Sequence, residues 1–150
     1  MRLCTVSVVV GMDAELDELW VDNTRQAEER IVSQWREVSA NEQHQLRDKF
    51  DEILRPLGLQ TRLVVVERAN SLALYFICMT LAALMSLRDQ WRSGQLRKTV
   101  TSLFDFLSRA IGLLTVRPLR PLRVKRLTWP LSDYQRCLEF FSSVQGNQMI

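Results

Sequence analysis

One histidine, two tyrosines and five scattered glycines leave this chain short of the residues from which most recognisable active sites are built. The glycines (Gly11, Gly58, Gly94, Gly112 and Gly146) never cluster. Phosphate-cradling loops, dinucleotide fingerprints and the nucleophile elbow are thereby excluded. Cysteine is sparse too. Cys4, Cys78 and Cys137 are odd in number, far apart and each set in an apolar segment. They lack metal-ligand spacing, so they read as reduced core thiols of a cytoplasmic protein. A catalytic thiol needs a base, and His44 sits in the strongly polar run NEQHQ. The paired carboxylates Glu28-Glu29 and Asp51-Glu52 lie in stretches rich in Arg and Gln, where a solvated helix face is expected rather than acid–base work. The reading is of a non-enzymatic chain with no catalytic residue, no cofactor and no metal site.

A long hydrophobic run is also missing, although one segment comes close. Ala69–Leu87 (ANSLALYFICMTLAALMSL) holds nineteen consecutive uncharged residues, against the roughly 20 apolar residues of a membrane helix. Asn70, Ser71, Thr80 and Ser86 interrupt its apolar character. Ala69-Asn70 separates two β-rich runs, Thr61–Glu67 and Ser71–Met79, which predicts a hairpin with a short turn. Thr80 stands where its hydroxyl would cap a helix beginning at Leu81. No membrane span is therefore expected. A signal peptide is not expected either, since MRLCTVSVVV has one early Arg and no small-residue cleavage site.

What the chain does contain is average in proportion and uneven in placement. At 150 residues, with 47% hydrophobic and 25% charged side chains, it has the composition of one globular domain, 1–150. The net charge is +3, yet residues 1–75 hold 9 basic and 13 acidic side chains, and residues 76–150 hold 11 basic and 4 acidic. Halves of −4 and +7 suit association with a partner or self-association.

Periodicity assigns the elements. Leu3–Val10 is apolar at alternating and intervening positions, as in a strand covered on both sides or central in its sheet, with Gly11 and Asp13 ending it. From Glu15 to Leu57 apolar residues recur at helical spacing: Leu16, Leu19 and Trp20; then Ala27, Ile31, Trp35 and Val38; then Leu46, Phe50, Ile53 and Leu54. Asp22-Asn23-Thr24 and Asn41 offer caps, and Pro56 and Gly58 a stop. After the hairpin, helices are predicted over Leu81–Arg92 and Gln95–Gly112, joined at Ser93-Gly94. Leu122–Thr128 reads as a strand. Ser132 is expected to cap a last short helix, Asp133–Ser142, with Tyr134, Cys137, Leu138 and Phe141 buried. The order β-αα-β-β-αα-β-α implies an α+β fold, a two-layer α/β sandwich whose helices cover one face of a four-stranded, mainly antiparallel sheet.

The basic run Arg117–Arg126 (RPLRPLRVKR) is the polar segment most open to a functional reading. A solvated loop followed by an edge strand accounts for it, the charges blocking unwanted edge pairing. A protein partner or a nucleic acid are the alternatives. The nucleic-acid version is weakened because Tyr75 and Phe76, being adjacent, point to opposite sheet faces.

The segments Leu63–Phe104, LRVKRL and DYQRCLEFF together resemble the N-terminal domain of the TNF-receptor-associated death-domain adaptor, the TRADD-N-like family. The likeness rests on Trp91-Arg92-Ser93-Gly94-Gln95-Leu96, preceded by a long uncharged strand, and on Arg136-Cys137-Leu138. It covers residues 60–142 best and Leu3–Val10 loosely. The resemblance implies a docking module at the front of a longer cytoplasmic adaptor or innate-immune receptor in apoptotic signalling, with a TRAF-C domain as partner. The family's partner-binding positions on the first strand fall on Val6 and on Val8 or Val9, where the family has aromatics. Its hairpin His and Ser fall on Val66 and Arg68, and its Ile on Ala73. With Tyr75, Arg123 and Arg126, these residues make up the expected contact surface on the hairpin and last strand.

Overall fold

The computed structural model describes residues 7–18, 24–40, 44–110 and 122–148. They form four strands and five helices in the expected order: β1 (Val8–Leu16), α1 (Thr24–Ala40), α2 (His44–Leu54), β2 (Thr61–Arg68), β3 (Leu72–Cys78), α3 (Leu81–Ser93), α4 (Gln95–Ala110), β4 (Val124–Thr128) and α5 (Leu131–Gln148). A 3-10 turn at Arg55–Leu57 carries Pro56 and leads into Gly58. The strands form one sheet in the order β2-β3-β1-β4, and every neighbouring pair is antiparallel.

β1 corrects the first sequence assignment. It runs through Gly11 and Asp13 to Leu16 rather than ending at them. The reason is the period of two: Val8, Val10, Met12, Ala14 and Leu16 point into the core, while Val9, Gly11, Asp13 and Glu15 point outward. A strand with one uncovered face tolerates Gly and Asp there. β1 is central, as its apolar character predicts, but covered on one side only. Leu16 belongs to this strand, not to the first helical group.

The inward face continues through Leu72, Leu74, Phe76 and Cys78 of β3 and Leu63 and Val66 of β2. Against it pack Ile31 and Trp35 of α1, Leu84 and Leu87 of α3, and Leu96, Val100, Leu103 and Phe104 of α4, all in one core. Trp35 meets Phe50 at 5.4 Å between ring centroids, tying α2 to α1. Thr80 caps α3 as expected, its hydroxyl accepting the Ala83 N–H at 3.0 Å. Gly94 ends the helix in the left-handed conformation (φ 87°) that glycine adopts most cheaply. Cys78 and Cys137 are buried free thiols. The proposed caps at Asp22, Asn23 and Asn41, together with Cys4, Trp20 and residues 111–121, lie outside the described residues.

α5 is longer than expected and starts earlier. The Pro130 carbonyl accepts the Asp133 and Tyr134 N–H groups, so the helix begins at Leu131, and Ser132 lies exposed in its first turn instead of capping it. Trp129 connects this helix to the rest. Its ring lies 6.0 Å from Trp91 and 5.1 Å from Tyr134, both edge-on. The Trp91 indole N–H donates to the Leu127 carbonyl at 2.8 Å.

Candidate functional site

The helices leave the second face of the sheet open. Pairing registers order its side chains into rungs. Arg62, Ile77 and Val9 form the first, and Val65, Tyr75 and Gly11 the second. Glu67, Ala73, Asp13 and Thr128 form the third, and Glu15 pairs with Arg126 beyond it. Val9, Val65, Tyr75 and Ile77 thus make an apolar strip that none of the described elements covers, with Val9 48% exposed. Asp13, Glu15, Glu67, Arg62 and Arg126 surround it. Tyr75 is central. Its ring lies against the Gly11 backbone, and a hydrogen bond with the Glu67 carboxylate holds its phenol above the ordinary tyrosine range. Tyr75 presents an amphipathic ring, its phenol turned towards Glu67.

One border of this face is built in an unusual way. β4 pairs with β1 only from Asp13 to Leu16, leaving the β1 backbone unpaired on that side from Gly11 backwards. An open edge of this kind invites pairing with another chain. Here α5 closes it with side chains. Asp133 Oδ2 accepts the Gly11 N–H at 3.0 Å, and Arg136 Nη2 donates to the Val9 carbonyl at 2.9 Å. Arg136 and Asp133 also bond each other at 2.6 Å, and the Cys137 thiol lies 3.7 Å from the Val9 carbonyl. A hollow of about 310 Å³ opens beside them, lined by Gly11, Asp13, Ala73, Tyr75, Pro130 and Asp133.

The expected contact residues fall in different places. Val6 lies outside the described residues. Val8 and Val66 point into the core, 4% and 2% exposed, and cannot meet a partner on the open face; Val9 takes the outward position of β1. Tyr75 and Arg126 lie on the open face; Ala73 has the same outward phase but is buried, 5% exposed, and offers a partner almost no surface. Arg68 turns towards the helix layer, where it pairs with Glu29 of α1 at 3.1 Å. Arg123 is exposed just before β4, and its carbonyl accepts the Asp17 N–H at 2.9 Å. Val9 is the alternative to Val8 that faces outward; Val65, Ile77, Asp13, Glu15, Glu67, Asp133 and Arg136 were not among the expected contact residues. Alternation within the strands could have marked the five strand residues among them, once the inward phase was known. Asp133 and Arg136 carry no local signal.

Titratable chemistry departs from expectation at one point. Glu28 is 9% exposed rather than solvated. Burial pushes its carboxyl above the ordinary glutamate range, Arg68 pulls it back and Glu29 adds to the rise. Burial likewise raises the Cys78 thiol to about 11 and raises Cys137, so both are protonated and weakly nucleophilic at neutral pH. Among the described residues, no His, Cys, Asp and Glu side chains gather into a metal-binding group, and no helix is long and apolar enough to cross a membrane.

The chain matches no family model, and no curated protein or solved structure shows detectable similarity to it.

Proposed function

We propose that this domain is a non-enzymatic docking module that holds a protein partner on its open sheet face. The observation that carries the reading is the uncovered strip of Val9, Val65, Tyr75 and Ile77, framed by Asp13, Glu15, Glu67, Arg62 and Arg126. An apolar centre with aromatic content inside a charged rim is the anatomy of a protein interface. The resemblance to TRADD-N-like domains supports a TRAF-C domain as the partner and an adaptor role in TNF-receptor-type or innate-immune signalling. The free, buried thiols of Cys78 and Cys137 support a reducing, cytoplasmic setting. Asp13, Glu15 and Glu67 on the same face disfavour the nucleic-acid alternative, because they would repel a phosphodiester chain.

Pull-down with an isolated TRAF-C domain tests the reading. Retention by the parent protein is expected, with loss in a Tyr75→Ser/Ile77→Ser variant whose circular dichroism is unchanged. No retention at micromolar concentrations would sink the TRAF-C assignment, and retention by the double variant would sink the sheet-face assignment.

A further inference from the structure

A second surface, distinct from the apolar strip, gathers positive charge. Gly94 turns the chain sharply between α3 and α4, so Arg92 in the last turn of one helix and Arg97 in the first turn of the next flank the same corner. Opposite them lies β4. Its register against β1 shifts between Glu15 and Leu16, and Lys125 becomes the extra residue of the bulge. That shift breaks the alternation, leaving Lys125 and Arg126 exposed in succession. Between helix corner and strand runs a groove of about 620 Å³ lined by Trp91, Arg92, Arg97, Lys125, Arg126 and Leu127. The groove is shallow and open, with Arg92, Arg97, Lys125 and Arg126 exposed along it, which suits a peptide lying on the surface rather than an enclosed small molecule. Trp91 and Leu127 are held together by their 2.8 Å hydrogen bond, so the floor is fixed.

No carboxylate lines this groove. Arg92, Arg97 and Arg126 have no ion-pair partner among the described residues, and Lys125 stands 3.9 Å from Glu15 at the rim. Four cations focused into one concavity raise the local potential for an anion, and guanidinium forks match a carboxylate in two-point geometry. Neighbouring charge decides what kind of anion. Glu15 faces Arg126 across the sheet, with Asp13 and Glu67 one rung further. A long polyanion leaving the groove across the sheet would meet those carboxylates. A short one would not.

We propose that the groove between the α3–α4 corner and β4 binds a short carboxylate-rich peptide segment of a protein partner. The groove shares Arg126 with the rim of the open face, but Arg92, Arg97 and Lys125 belong to the groove alone, and the proposal holds whether or not a TRAF-C domain docks on the sheet.

Fluorescence anisotropy with a labelled hexaglutamate peptide, and with an oligothymidylate of equal charge, tests it on the whole chain. Saturable hexaglutamate binding is expected at about 150 mM salt, weakening as salt rises. An Arg92→Ser/Arg97→Ser variant loses about tenfold or more in affinity, since charge-assisted bonds are removed. Lys125→Gln/Arg126→Gln, on the opposite wall, gives the same direction of loss and serves if the first variant is unstable. Tyr75→Ser/Ile77→Ser leaves hexaglutamate binding unchanged, which separates this site from the sheet face. Absence of saturable binding, equal affinity in both groove variants, or tighter binding of the oligothymidylate would overturn the proposal.

Discussion

Glu28 shows how one buried carboxyl can make stability depend on pH. It lies on α1 at 9% exposure, with its pKa raised chiefly by burial and partly offset by Arg68. Between the ordinary glutamate pKa and the raised folded value, the native state binds more protons than the unfolded chain. Stability contributed by this group is therefore full below that window and falls as pH rises through it. Glu28→Gln removes the charge while keeping the shape. The variant is expected to match the parent near about pH 4 and to exceed it in stability at about pH 7. Urea midpoints across that range check this, and parallel profiles would refute the assigned cause. Helical periodicity placed Glu28 in a polar stretch but could not show that the edge of β2, with Arg68, would come down beside it.

At the scale of elements, α5 takes over the work of a missing strand. Beyond Asp13 the chain of β4 has already turned away at Trp129-Pro130, and Asp133 and Arg136 supply the acceptor and donor that a ladder would have given β1. Asp133→Ala strands the Gly11 N–H and releases Arg136. The Gly11 N–H is part-buried beside an open hollow, so the loss is expected near the low end of the range of about 1–3 kcal/mol for an unpaired buried donor, read as a lowered urea midpoint. Faster hydrogen exchange at the Gly11 amide, with β3 amides unchanged, would locate the loss at this edge. Helices α3 and α4 were legible because their signals are local: the Thr80 cap, Gly94 and the apolar stripe Leu96, Val100, Leu103, Phe104 and Leu107. β1 and the start of α5 were misjudged for a related reason. Gly11 and Asp13 look like breakers until the strand is known to have an uncovered face. Ser132 looks like a cap until Pro130 is seen to supply the first accepting carbonyl.

For the whole molecule, the uncharged stretch that approaches a membrane span is the centre of the core. Its first part, β3, lies between β2 and β1; its second, α3, packs over the sheet through Leu84 and Leu87. Phe76, 1% exposed, lies on the inward face of β3 among residues from both layers. Phe76→Ala is expected to cost about 3–5 kcal/mol, a large part of the roughly 5–15 kcal/mol that holds a domain together. A thermal or urea transition shifted by less than a surface substitution would contradict this placement. Charge is divided at the same scale: the sheet face mixes Asp13, Glu15 and Glu67 with Arg62 and Arg126, while the groove from the α3–α4 corner to β4 is lined by cations without a carboxylate.

The elements and their order follow from local pattern, because alternation, helical stripes, Thr80, Pro56 and Gly94 act within a few residues of where they stand. The strand order β2-β3-β1-β4, the outward phase that exposes Val9 and Tyr75 while burying Val8 and Val66, and the closing of the β1 edge arise from long-range packing. Those outcomes depend on groups far apart in the chain. Gly11 and Asp133, separated by 122 positions, meet through one hydrogen bond that neither residue's neighbours could announce.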